Sequence, residues 1–164
     1  MKKLSILICT MLALTSFMAI NALADSPHFI RCSAAGVNPD GTLNATFKIA
    51  GLGANQTIIV TASADGTAVY GCLNGGQNCP NAANKSTVSG PVSASGAFTS
   101  GKNGQITGSL TISPPANTTL DCPNGQDLVL VSASFTNVSV SAPGAEACET
   151  SPATFSANFF PQCP

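Results

Sequence analysis

The chain has 164 residues and a formal net charge of −1; only 8% of its residues are charged, against 44% hydrophobic. With so few basic residues it holds no patch for nucleic acid or anionic lipid, and it is too rich in Val, Ile, Leu and Phe to stay disordered. The exterior is therefore expected to be Ser, Thr, Asn, Gln and Gly, as suits an extracellular β protein.

Lys2 and Lys3 precede an apolar segment over 4–20, and Ala22-Leu23-Ala24 follows with small-x-small spacing. This pattern predicts a secretory signal peptide cleaved after Ala24 and removed from the fold. Thr10, Thr15 and Ser16 break the apolar run, which argues against a retained anchor. Cys9 lies too early to be a lipoprotein cysteine. No other segment is long and apolar enough to span a bilayer. Residues 25–164 are expected to form a single domain, secreted or periplasmic.

The first predicted strand covers 28–35 and ends at Asn38-Pro39-Asp40-Gly41, a turn sequence. Residues 42–50 alternate, with Leu43, Ala45, Phe47 and Ile49 on one face. A four-residue loop sets Val37 opposite Thr42 and brings Ile30, Cys32 and Ala34 to the Phe47 face. Next, TIIVTASADGTAVYGC reads as a hairpin turning at Asp65-Gly66, since both loop residues of such a turn need positive φ. That pairing puts Ile58, Val60, Ala62 and Val69 on the core face, and Ile59, Thr61, Tyr70 and Cys72 on the other.

The Asn/Gly-rich run after Cys72 cannot continue a strand. Its Asn74, Gln77, Asn78, Asn81 and Asn84 are the candidate binding residues, on a long exposed loop. Residues 88–100 and 105–113 form a second hairpin. A three-residue Lys102-Asn103-Gly104 loop brings Phe98 over Gly108 on the apolar face. Residues 127–140 form the most strand-like run, with Val129, Val131, Ala133 and Phe135 inward and a bend or bulge near Thr136-Asn137. Residues 143–152 read as loop, and 153–160 as a closing strand alternating Phe155, Ala157 and Phe159. Eight or nine short strands, with turn signals between them and no amphipathic helix, predict an antiparallel β-sandwich. It is immunoglobulin-like in the loose sense, without that family's buried tryptophan; a small β-barrel is the alternative.

Cys32, Cys72, Cys79, Cys122, Cys148 and Cys163 form an even set in an exported chain, which predicts three disulfides. A zinc site lacks a second close pair and has one histidine to draw on. One pairing joins Cys72–Cys79, Cys148–Cys163 and Cys32–Cys122. Another joins Cys72–Cys122 and Cys32–Cys79.

Catalytic constellations are sparse. His28 is the one histidine, and no G-x-S-x-G accompanies it. Pro27 supplies no amide for an N-terminal copper site. Asp121 with Asp127, and Glu146 with Glu149, are conceivable carboxylate pairs but lie in or beside loops. Trp is absent and Tyr70 is the single tyrosine, against the aromatic platforms that carbohydrate clefts favour. Asp40, Asp65, Asp121 and Asp127 do not fall at calcium-loop spacing. Lys48 reads as an outward surface lysine. Asn44, Asn55, Asn84, Asn117 and Asn137 begin sequons, which matter in a host that glycosylates them. No cofactor motif stands in the chain.

Gly51-Leu52-Gly53 with Gln56, Cys72 before an Asn/Gly-rich loop, the 95–105 region ending KNGQ, Ser113-Pro114-Pro115, and Cys122-Pro123 with Gly125-Gln126 together resemble a group of small secreted microbial proteins of unassigned function. The resemblance spans most of the segment after Ala24 and carries no catalytic motif. Simpler members keep only the counterparts of Cys72 and Cys122, so it implies that these two pair. Pilin subunits are similar in export, size and fold, but this chain lacks their near-terminal tyrosine and ends FFPQCP. The short Lys-Lys leader looks bacterial. The expected function is a non-catalytic extracellular module for binding, adhesion or envelope structure, with a protein or surface-glycan ligand. The alternatives are a pilin-like self-assembling subunit, or an enzyme or inhibitor built on the Asn-rich loop.

Overall fold

Apolar residues at every second position commit a strand to one buried face, and the described strands follow this rule except where a bulge shifts the register. The structure is a computed structural model and describes residues 26–75 and 84–160. In chain order the strands are β1 (His28–Val37), β2 (Leu43–Ala50), β3 (Thr57–Asn74), β4 (Lys85–Thr99), β5 (Ile106–Ile112), β6 (Gln126–Ser141), β7 (Cys148–Glu149) and β8 (Phe155–Asn158). One sheet has the order β1-β2-β5; the other runs β4-β3-β6, with β7 and then β8 sharing the far side of β6. All ladders are antiparallel. Among the described residues no ladder joins the two sheets, so the fold is a sandwich and not a barrel.

Leu43, Ala45, Phe47 and Ile49 of β2 meet Val60 and Ala62 of β3 and Phe135, Val138 and Val140 of β6, all buried. The Phe47 and Phe98 rings pack edge-to-face, with centroids 5.0 Å apart and planes at 88°. Such pairs add about 0.5–1.5 kcal/mol beyond area burial.

The β1–β2 hairpin forms where expected, one residue longer in its loop: Val37 pairs with Leu43. Asp40 closes the turn by accepting hydrogen bonds from the Thr42 hydroxyl (2.7 Å) and amide (3.0 Å). The hydroxyl and then the amide hold its carboxyl below the ordinary aspartate value. A register shift between Phe29 and Arg31 turns Phe29 inward and leaves Ile30 exposed, contrary to the uninterrupted alternation expected there. Cys32 and Ala34 do face the core.

The Asp65-Gly66 hairpin does not form. β3 runs straight through both residues for 18 positions, paired with β4 on one side and β6 on the other. Two neighbours offer far more ladder than one tight turn. The glycine serves a close approach instead: a Cβ on Gly66 would lie 2.9 Å from Pro115 Cδ and 3.1 Å from Val92 Cγ2, the role of a glycine inside a strand that something crosses closely. Without the turn, Tyr70 shares the Val60 face and Val69 the opposite one. The Tyr70 hydroxyl donates to the Pro115 carbonyl at 2.8 Å.

The second predicted hairpin is also corrected. β4 and β5 belong to different sheets, so residues 100–105 form an arch over one end of the sandwich. Phe98 still lies over Gly108, but across the core. Val129 and Val131 leave the expected inward set: a register shift near Val69–Tyr70 puts them with Val69, Leu73 and Phe160 in a second cluster. Ala133 and Phe135 are inward, and the predicted bulge falls at Asn137. β6 stays in one sheet throughout. The 143–152 region, expected as loop, contributes β7, and the closing strand forms as β8.

Two disulfides are present among the described residues. Cys32–Cys148 joins β1 to β7 and so ties the sheets together at one edge (Cα–Cα 6.1 Å). Cys72–Cys122 ties β3 to the segment after β5 (Cα–Cα 5.5 Å). The second matches the pairing that the resemblance implied. Cys72–Cys79, Cys148–Cys163, Cys32–Cys122 and Cys32–Cys79 are overturned, because the partners of Cys32, Cys72, Cys122 and Cys148 are now assigned. Cys79 and Cys163 themselves lie outside the described residues, as do the proposed leader and its cleavage site. No helix among the described residues is long and apolar enough to cross a membrane.

A Cβ on Gly108 would sit 2.6 Å from Phe98 Cε1 and 2.8 Å from Phe47 Cζ. Gly108→Ala should therefore force the edge-to-face pair apart and cost about 1–3 kcal/mol, read as a lower urea midpoint with an unchanged slope.

Candidate functional site

The outer face of the β4-β3-β6 sheet is a field of short polar side chains. Register partners on β3 and β4 join through their hydroxyls: Thr57 with Thr99 at 2.8 Å, Thr61 with Ser95 at 2.8 Å, and Thr67 with Ser89 at 2.9 Å. Such closeness marks non-hydrogen-bonded pairs of the ladder, where side chains approach most nearly. Pro91, partner of Asp65, has the same parity. Its missing N–H thus faces the open side of β4 and costs the ladder nothing.

One irregularity interrupts the field. Between the Ser63–Ser139 and Asp65–Thr136 pairs, β6 holds one more residue than β3. Asn137 takes up the excess with φ of +55°, and Val138 returns to the core. A bulge of this kind re-aims a side chain. Here the Asn137 amide Nδ2 donates to Asp65 Oδ2 at 2.8 Å, and the Thr136 hydroxyl donates to the Asp65 carbonyl at 3.5 Å. The result is an open groove of about 420 Å³ across three strands, with Ser63, Asp65, Pro91, Ser93 and Asn137 on its walls. Asp65 and Asn137 are both exposed.

A smaller depression of about 250 Å³ brings His28 and Glu146 together beside Cys148. The His28 ring nitrogen Nδ1 is 3.0 Å from the Ser26 carbonyl. The only sulfur there is locked in the Cys32–Cys148 disulfide, and no hydroxyl lines the depression. It therefore offers an acid and a base without a nucleophile between them.

Of the loop residues singled out in the sequence, Asn74 ends β3 and Asn84 precedes β4, at the same end of the sheet. Gln77, Asn78 and Asn81 lie outside the described residues. The groove lies instead near the middle of β3, and its members were legible only in part. Asn137 stood out as a bulge, whereas Asp65 read as a turn residue. Ser63 and Ser93 gave no signal, because what distinguishes them is position against a bulge on β6, the strand next to Ser63 and two strands from Ser93.

The residues that carry the resemblance have structural work. The Ser100 hydroxyl donates to the Gly53 carbonyl at 2.6 Å and accepts the Gln56 amide at 2.9 Å, while the Leu52 amide donates to the Gly104 carbonyl at 3.1 Å. This knot fastens the loop before β3 to the arch after β4, with Gly104 at φ +68°. Pro115 packs on Gly66, and Cys122 holds its segment to β3. No model of a known protein family and no curated protein sequence matches the chain. Among the described residues no group of three or more His, Cys, Asp or Glu side chains comes close enough to hold a metal ion.

Left-handed backbone costs a residue with a Cβ about 1–2 kcal/mol, and Asn and Gly bear it best. Asn137→Ala should thus lower stability by about 1 kcal/mol or more, while Asn137→Gly stays within a few tenths, both read from urea denaturation.

Proposed function

We propose that this chain is exported and acts outside the cytoplasm as a non-catalytic module for binding, adhesion or envelope structure, with the groove on the β4-β3-β6 face as its contact site. The groove carries this reading: it presents hydroxyls, an amide and one carboxylate on a rigid sheet, groups suited to recognition. The two disulfides support export, since such bonds persist in oxidising compartments. Kinship with the small secreted microbial proteins, loose likeness to immunoglobulin domains and a bacterial source belong to the same proposal.

Protein recovered from the periplasm or medium should begin at Asp25 and show no reactive thiol when denatured. Retention in the cytoplasm or several free thiols would count against export. Labelled protein should adsorb saturably to the producing cells or to material they release, and Ser93→Trp, which fills the groove, should abolish this with circular dichroism unchanged. Adsorption that ignores the filled groove removes the site. Turnover of a substrate that survives repurification and is lost on one polar substitution removes the non-catalytic reading.

A second reading, self-assembly through strand pairing, is favoured by β4, a 15-residue strand with no partner on its other side among the described residues. Long uncovered edges template pairing. Pro91, at mid-strand, withholds one donor from that edge. Sedimentation at rising concentration should show a monomer for the wild type and concentration-dependent association for Pro91→Ser. A wild-type polymer would instead favour the subunit reading.

A further inference from the structure

We propose that the groove binds a neutral saccharide, its ring hydroxyls engaged by Ser63, Ser93, Asp65 and Asn137 and its apolar face set against Pro91. This rests on reading the groove as the contact site. Within the β3–β4 ladder, the groove is where hydroxyl pairing stops. Three β3–β4 register pairs flank or extend from it, and each joins hydroxyl to hydroxyl. Ser63 and Ser93 are register partners in the same series, yet among the described residues neither hydroxyl has a hydrogen-bond partner. Asp65 gives one oxygen to the Asn137 amide, and its Oδ1 likewise has no partner among the described residues.

The site thus holds two hydroxyls and a carboxylate oxygen without partners among the described residues, beside the exposed amide of Asn137. Each sugar hydroxyl both donates and accepts, and neighbouring ring hydroxyls lie close enough to address a coupled carboxylate–amide pair together. Hydrogen bonds to the ionised carboxylate are the stronger ones and give the site its orientation. The volume, about 420 Å³, falls within the range of about 300–1,000 Å³ for small-ligand sites.

Other occupants fit less well. An extended peptide needs unpaired backbone, and beneath the groove β3 is paired on both sides. A hard divalent cation wants about six or more oxygens, and one carboxylate with scattered hydroxyls does not enclose it. An anionic sugar would meet the Asp65 carboxylate with no cation among the groove's residues to offset it. A pyrrolidine ring is a small platform compared with an aromatic one, so the affinity should be weak, with Kd on the order of 1 mM.

The test is a titration of the isotope-labelled full protein, followed by amide chemical shifts. The probes are the methyl glycosides of glucose, galactose, mannose and N-acetylglucosamine, with glucuronate as the anionic control. At least one neutral glycoside should shift the amides of Ser63, Asp65 and Ser93 and the side-chain amide of Asn137, saturably. Asp65→Ala should weaken it about tenfold or more, and glucuronate should shift nothing. Ser93→Ala, which alters only an exposed hydroxyl, should weaken it several-fold and stands in if Asp65→Ala does not fold. The inference is overturned if no neutral glycoside moves these signals, if the shifts gather elsewhere such as at Asn74 and Asn84, if glucuronate binds equally, or if the folded variants bind undiminished. Failure here with adsorption still blocked by Ser93→Trp leaves the contact site standing and removes only its sugar ligand.

Discussion

Pairing on both sides of β3 is the constraint on which the rest of the molecule depends. Of its 18 residues, 57–71 pair with β4 and 61–74 with β6, which satisfies the backbone along the middle of the strand on both sides. Its core-facing residues then require a second sheet, and β1, β2 and β5 supply it. β3 extends past the end of that sheet. There the segment after β5 covers the inner side, with Pro115 on Gly66 and Cys122 bonded to Cys72, while Phe160 covers Leu73 and Val131 on the outer side. One long strand is thus clad differently along its two halves.

How much of this could be read from residues alone depended on whether the signal was local. β2 alternates cleanly and lies where its pattern put it, because its face is set by Phe47 and Ile49 themselves. The bulge at Asn137 was visible for the same reason. The Asp-Gly pair misled: its meaning depends on whether flanking strands exist to hold the chain extended, and that is decided far away in sequence. The β4–β5 connection misled more instructively. Bringing Phe98 over Gly108 satisfies a hairpin and a cross-core arch equally, so burial fixed the contact but not the sheet. Cysteine partners were beyond spacing arguments. Cys32 and Cys148 are 116 residues apart, and they meet because β1 and β7 end up at the same edge.

The groove shows how one irregularity opens a recess on an otherwise regular sheet face. Between β3 and β4, three pairs of threonine and serine hydroxyls bond to each other. One additional residue in β6 lifts an amide onto Asp65, beside Ser63 and Ser93, whose hydroxyls stay apart although they are register partners. The local conformational cost at Asn137 is offset by the deeply packed Val138 and Val140 beside it.

The Cys32–Cys148 bridge has a mechanical side. A pull exerted between a point ahead of Cys32 and a point beyond Cys148 does not travel along the chain between them. It crosses one covalent link, and the hydrogen-bonded layers in that interval bear almost no load. Among the described residues, the first residues of β1 and those past Cys148, β8 included, are left to peel away under tension. A fold wired this way keeps its core intact when pulled at those points.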